Sequence, residues 1–168
     1  GFFSYALLGS GGSWVWNQST VTVSANTWTH VAFSKSGSQM TIYKNGGSIA
    51  GGSEAIVTAG VPSNALTNST SPFAVGARLS SSAAEAFTGT LDDVRLWTYP
   101  RSASAIAQNY NKHVASNMLY FPFDEAGGTV VANHAATTGS ALSGTVAGAT
   151  IATGLATPYS STFTAANV

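Results

Sequence analysis

The chain has 168 residues and no cysteine, and its six basic and six acidic side chains leave a formal net charge of zero. That length suits one domain with an ordinary core, and the missing cysteines exclude disulfides, thiolate metal sites and thiol nucleophiles. Charged residues are only 7% of the chain, so Ser, Thr, Asn, Gln and Gly must cover the surface; with no basic stripe and no apolar run of about 18 residues, neither nucleic acid nor membrane insertion is expected.

Short β-type runs separated by Gly, Ser and Asn clusters predict an all-β sandwich. The start, Gly1-Phe2-Phe3-Ser4-Tyr5, reads as mid-domain sequence, as expected of a processed product or a piece of a longer chain. Strands are expected over 5–9, 13–17, 20–24, 29–35, 39–44, 73–76 and 90–98. Along 40–44, Met40, Ile42 and Lys44 share one face, and Thr41 and Tyr43 share the other. Asn45-Gly46 follows as a turn pair, since both residues tolerate positive φ. After Pro100-Arg101, Ser102 can cap a short helix near 102–110, with Ala103, Ile106, Ala107 and Tyr110 close to one helical face. Further strands are expected over 118–123, 129–132, 141–147 and 160–164. The nearly uncharged end of the chain still repeats Leu142, Val146, Ile151, Leu155, Tyr159 and Phe163, which argues for order there.

Three segments, in order, resemble the laminin-G-like (concanavalin A-like) domains found in tandem in bacterial surface proteins. They are Asn26-Thr27-Trp28-Thr29-His30-Val31-Ala32-Phe33, Met40-Thr41-Ile42-Tyr43-Lys44-Asn45-Gly46, and Phe87-Thr88-Gly89-Thr90-Leu91-Asp92-Asp93-Val94-Arg95-Leu96-Trp97. The last leads into Arg101-Ser102-Ala103-Ser104-Ala105-Ile106, similar to the family's closing helical turn with its Leu and Glu replaced. The resemblance implies an all-β fold: an antiparallel two-sheet concanavalin A-like jelly-roll sandwich with one short helix near 102–110.

A fourth segment, Leu119-Tyr120-Phe121-Pro122-Phe123-Asp124-Glu125-Ala126-Gly127-Gly128-Thr129-Val130, resembles the family's opening strand. Gly144-Thr145-Val146-Ala147-Gly148-Ala149-Thr150 resembles the strand after it. Residues 1–113 thus carry the later strands and closing helix of such a sandwich, and 114–168 the opening strands. The tail can complete its own sandwich, complete a neighbour's by strand exchange, or belong to the next repeat of an array. In an exchange, Leu119, Phe121 and Phe123 form the assembly strand.

The acids are Glu54, Glu85, Asp92, Asp93, Asp124 and Glu125, with no alternating E-x-D-x-E strand, so the chain is not expected to be an enzyme. Asp92, Asp93 and Asp124 have two readings: structural carboxylates, one of Asp92 and Asp93 bonding loop amides or pairing with Arg95 or Arg101, or the ligands of a structural calcium ion, as in some relatives. No other cofactor is expected. His30, His113 and His134 show no metal-binding spacing, and His30 reads as a core histidine. Trp14 and Trp16 alternate on one strand, so they share a face and serve either the core or, with Asn17, a sugar-binding surface. Asn17 and Asn68 fit the N-glycosylation pattern. Taken together these features predict a non-catalytic extracellular or cell-surface module of a fibre, sheath or large adhesin. Its partners are copies of itself or neighbouring repeats; the alternative is a carbohydrate-binding module with glycans as ligands.

Overall fold

In the computed structural model, the described residues are 2–8, 14–63, 74–76, 87–112, 114, 116, 118–135, 143–147 and 150–151. Alternation builds the central sheet. β3 (Val31–Ser36) and β4 (Gln39–Lys44) form a hairpin in register from Val31↔Lys44 to Ser36↔Gln39. Gly37, at φ 55°, turns the chain between them. β5 (Ser53–Val57) pairs antiparallel on the other side of β4, from Met40↔Val57 to Lys44↔Ser53. The expected turn at Asn45-Gly46 makes that connection, with φ values of 49° and 79°, and a short 3-10 turn at Ser48–Ala50 follows.

β1 (Phe2–Leu8) and β2 (Trp14–Thr22) form a second antiparallel ladder. Its register slips between Phe2 and Ser4. Opposite the slip, the Ser19 hydroxyl accepts the Val21 N–H at 3.1 Å, offering the backbone a local partner in place of the ladder. The two ladders share one core: Leu7 from β1, Val21 from β2, Met40 and Ile42 from β4, and Val61. Ile42 is wholly buried. The opposite face of β4 carries Thr41 and Tyr43, which line a groove with Pro100, Arg101 and Ser102.

α1 (Ala103–Asn109) starts where expected, with Ser102 Oγ accepting the Ala105 N–H at 3.2 Å. It docks on the turn after β4: a Cβ added at Gly46 would lie 2.6 Å from Tyr110 Cδ1. β6 (Val94–Leu96) and β7 (Leu119–Phe121) pair antiparallel, matching Val94↔Phe121, Arg95↔Tyr120 and Leu96↔Leu119. β8 (Val130–Val131) and β9 (Gly144–Thr145) pair antiparallel in a further small sheet. His134 N–H donates to Tyr120 O at 2.8 Å, and Tyr120 N–H donates to Asn133 Oδ1 at 2.9 Å, so the chain after β8 lies alongside β7. A second core follows from this placement: Leu119, Phe121 and Val131, packed by Val94, Leu96, Phe123, Val146 and Ile151.

The architecture is the expected antiparallel all-β one, and among the described residues it has one α-helix and four small sheets rather than two closed ones. The runs at 13–17 and 20–24 are one strand, β2. The run at 90–98 shortens to β6 because Asp93 takes φ 55°, which no ladder residue can hold. Residues 74–76 carry no strand, and the run at 160–164, with Leu142, Leu155, Tyr159 and Phe163, lies outside the described residues. β5 was not expected. As an edge strand it exposes Ile56 and Glu54 and buries only the small faces of Ala55 and Val57, so it lacks a strong apolar alternation.

Candidate functional site

The seam between β6 and β7 gathers a buried cluster of ionisable groups, Asp93, Arg95 and Tyr120. The left-handed turn at Asp93 sends its carboxylate back to Arg95 two residues on, and Asp93 Oδ2 accepts from Arg95 Nη2. The Tyr120 hydroxyl, opposite Arg95 on β7, hydrogen-bonds the same carboxyl group. Arg95 Nη1 reaches the Asn109 carbonyl at 3.3 Å, satisfying one of the unpaired oxygens at the end of α1. Burial lifts the Asp93 carboxyl to about 6 against the opposing pull of Arg95 and Tyr120. Burial, reinforced by Asp93, also pushes the Tyr120 hydroxyl up from its ordinary value. His30 sits in the same buried neighbourhood, edge-on to Tyr110 at 5.8 Å. Burial first, and the Arg95 charge second, hold it down at about 4, so its ring is neutral at pH 7. Its backbone is clipped to the next turn by His30 N–H to Asn45 Oδ1 at 3.1 Å. This is the core histidine the sequence suggests, but its Nδ1 is buried without a hydrogen-bond partner.

Beyond β7 the chain turns at Asp124-Glu125. Glu125 Oε1 accepts the Ala132 N–H at 2.7 Å, tying the turn to the end of β8. Its other oxygen is enclosed and accepts no hydrogen bond. Asp124, Glu125 and His134 each bring one ligand atom to within 4.8 Å of the other two. Among the described residues this is the one such group of three, so the calcium set expected from Asp92, Asp93 and Asp124 does not assemble. The reason is local: the Asp93 carboxylate is turned toward Arg95 and Tyr120, while Asp124 lies on a different turn beside Glu125. His134 was missed because its spacing from Asp124 and Glu125 matches no motif; strand pairing, not sequence proximity, brings it back.

Of the other expected residues, Trp16 is 58% exposed, so the core reading fails for it. Gln18 lies exposed two residues along the same strand. The side chains of Trp14 and Asn17, and Asn68 entirely, lie outside the described residues. Leu119 and Phe121 are buried and Phe123 is half-buried, all three in the second core. A polar groove of about 290 Å³ opens between β3, β4 and the start of α1, lined by Ser34, Gln39, Thr41, Tyr43 and Arg101 among others. Arg101 stacks over Trp97 at 4.1 Å, and its carbonyl accepts the Ser34 hydroxyl at 2.9 Å.

Antiparallel ladders over a shared core, with one short helix docked on the turn after β4, define a β-sandwich of the jelly-roll class. A laminin-G family model, described as the concanavalin A-like lectin/glucanases superfamily, matches residues 2–107, and the chain belongs to that family. The match ends within α1, so β7, β8 and β9 lie beyond it. Comparison with curated proteins and with solved structures gives no match. Among the described residues no helix is long and apolar enough to cross a membrane.

Proposed function

We propose that the chain is a non-catalytic structural or adhesive module of the cell surface, joined to copies of itself or to neighbouring repeats through β7. The observation that carries this reading is the seat of β7, an opening-type strand, on β6, a closing-type strand. Every copy carries the same Val94, Arg95 and Leu96 on β6 to pair with Phe121, Tyr120 and Leu119 of β7, so β6 of any copy offers the same partner. Exchange then changes the connection and leaves the contacts intact. A surface with no net charge does little to oppose such association.

The carboxylates favour a non-catalytic role. Glycoside hydrolysis needs two carboxyl groups flanking a bond, about 5 to 9.5 Å apart across a cleft. Here Asp93 is committed to Arg95 and Tyr120, and Asp124 and Glu125 sit side by side on one turn. A second reading, carbohydrate binding, draws on the exposed indole of Trp16.

Negative-stain electron microscopy of the full chain, beside a variant truncated after Ser116, tests the first reading. Filaments from the full chain that vanish on truncation are expected. Discrete monomers from the full chain would overturn assembly, and glycan-array binding that is lost in Trp16→Ala would then put the second reading in its place.

A further inference from the structure

We infer that Asp124, Glu125 and His134 form a binding site for a divalent transition-metal ion of the zinc class. The donors are two carboxylates and one imidazole, whose ligand atoms lie within 4.8 Å of one another. Around a tetrahedral zinc ion, ligands at about 2.0–2.2 Å lie roughly 3.5 Å apart, a gap that rotation of the exposed Asp124 and His134 side chains can close. Glu125 supplies the second, independent observation. Its Oε1 is held by the Ala132 N–H, which fixes the carboxylate, while its other oxygen is enclosed with no donor. An enclosed carboxylate oxygen without a partner is costly, and a cation is the partner its chemistry asks for.

The imidazole decides the class of ion. Calcium and magnesium take oxygen ligands, whereas zinc and its neighbours accept nitrogen readily. The protein backbone also pre-positions the set. His134 is anchored by its N–H to Tyr120 O at 2.8 Å, and Glu125 by Ala132, so the ion would bridge the turn after β7 to the segment after β8. Asp124 and His134 are exposed, which leaves the remaining coordination positions facing solvent. This inference concerns the chain as a monomer and does not depend on strand exchange.

Titration of the full chain with Zn2+ and with Ca2+, by calorimetry at neutral pH, tests it. One saturable Zn2+ per chain is expected, with no saturable Ca2+. His134→Ala and Asp124→Asn should weaken Zn2+ binding by roughly tenfold or more, while Glu54→Gln, on the exposed face of β5, should leave it unchanged. Of the three histidines, only the His134 ring resonances should move on Zn2+ addition. Both substitutions lie on exposed side chains, and far-ultraviolet circular dichroism checks that the variants are folded. Absence of saturable Zn2+ binding would overturn the site. So would equal binding of Ca2+, or full affinity retained in folded His134→Ala.

Discussion

His30 and Asp93 respond to pH in opposite senses, and Arg95 lies within reach of both. His30 is depressed from 6.5 to about 4 by burial, so as pH falls below 6.5 the unfolded chain gains a proton that the folded chain refuses. Its contribution to stability is therefore lost between pH 6.5 and 4. Asp93 is raised from 3.8 to about 6, so the folded chain keeps a proton that the unfolded chain releases. Its contribution is present below 4 and lost as pH rises through 6. Each effect amounts to about 3 kcal/mol across its window, and the two nearly cancel. Urea unfolding at pH 4.5 and 6.5 should show little change for the parent chain from these groups. His30→Gln should become more stable on acidification, and Asp93→Asn less stable. If both variants keep the parent's pH dependence, this pairing is wrong. His30 was legible as a core histidine from its place beside Trp28. The pairing of Asp93 with Arg95 was legible as the structural reading of that carboxylate, but its positive φ and its contact with a tyrosine 27 positions away were not, since no local pattern encodes them.

The turn after β4 shows how one element positions another. Gly46 holds φ 79° and lies directly under the Tyr110 ring, so an added Cβ must displace the residue that ends α1. Gly37 holds φ 55° in the hairpin between β3 and β4 but faces open space. A left-handed backbone alone costs an alanine about 1–2 kcal/mol, which is all Gly37→Ala should lose. Gly46→Ala adds the clash and should lose about 2 kcal/mol more. Chemical denaturation of the two variants measures the difference, and equal losses would show that α1 does not rest on this turn. The turn, the alternation of β4 and the Ser102 cap were all readable because each depends on residues within a few positions. β5 escaped because an edge strand buries one thin face. The convergence of His134 on Glu125 escaped because it arises from the pairing of the segment after β8 with β7.

At the scale of the whole molecule, the described residues hold two cores: one shared by β1, β2 and β4, and one between β6 and the strands after α1. The family match covers the first core and β6 and ends before β7, so the second core joins matched and unmatched sequence. The out-of-order opening strand pointed to this seam, but sequence could not say which β6 it meets. The absence of cysteine makes the question directly measurable. Leu96 and Leu119 are paired across the ladder, so Leu96→Cys with Leu119→Cys places two thiols at one register position. If, as proposed, β7 of one copy lies on β6 of the next, mild oxidation of the assembled double variant should give a ladder of covalent multimers on a non-reducing gel. A single monomeric band with both thiols consumed would mean that β7 stays on its own β6, and would contradict assembly by exchange.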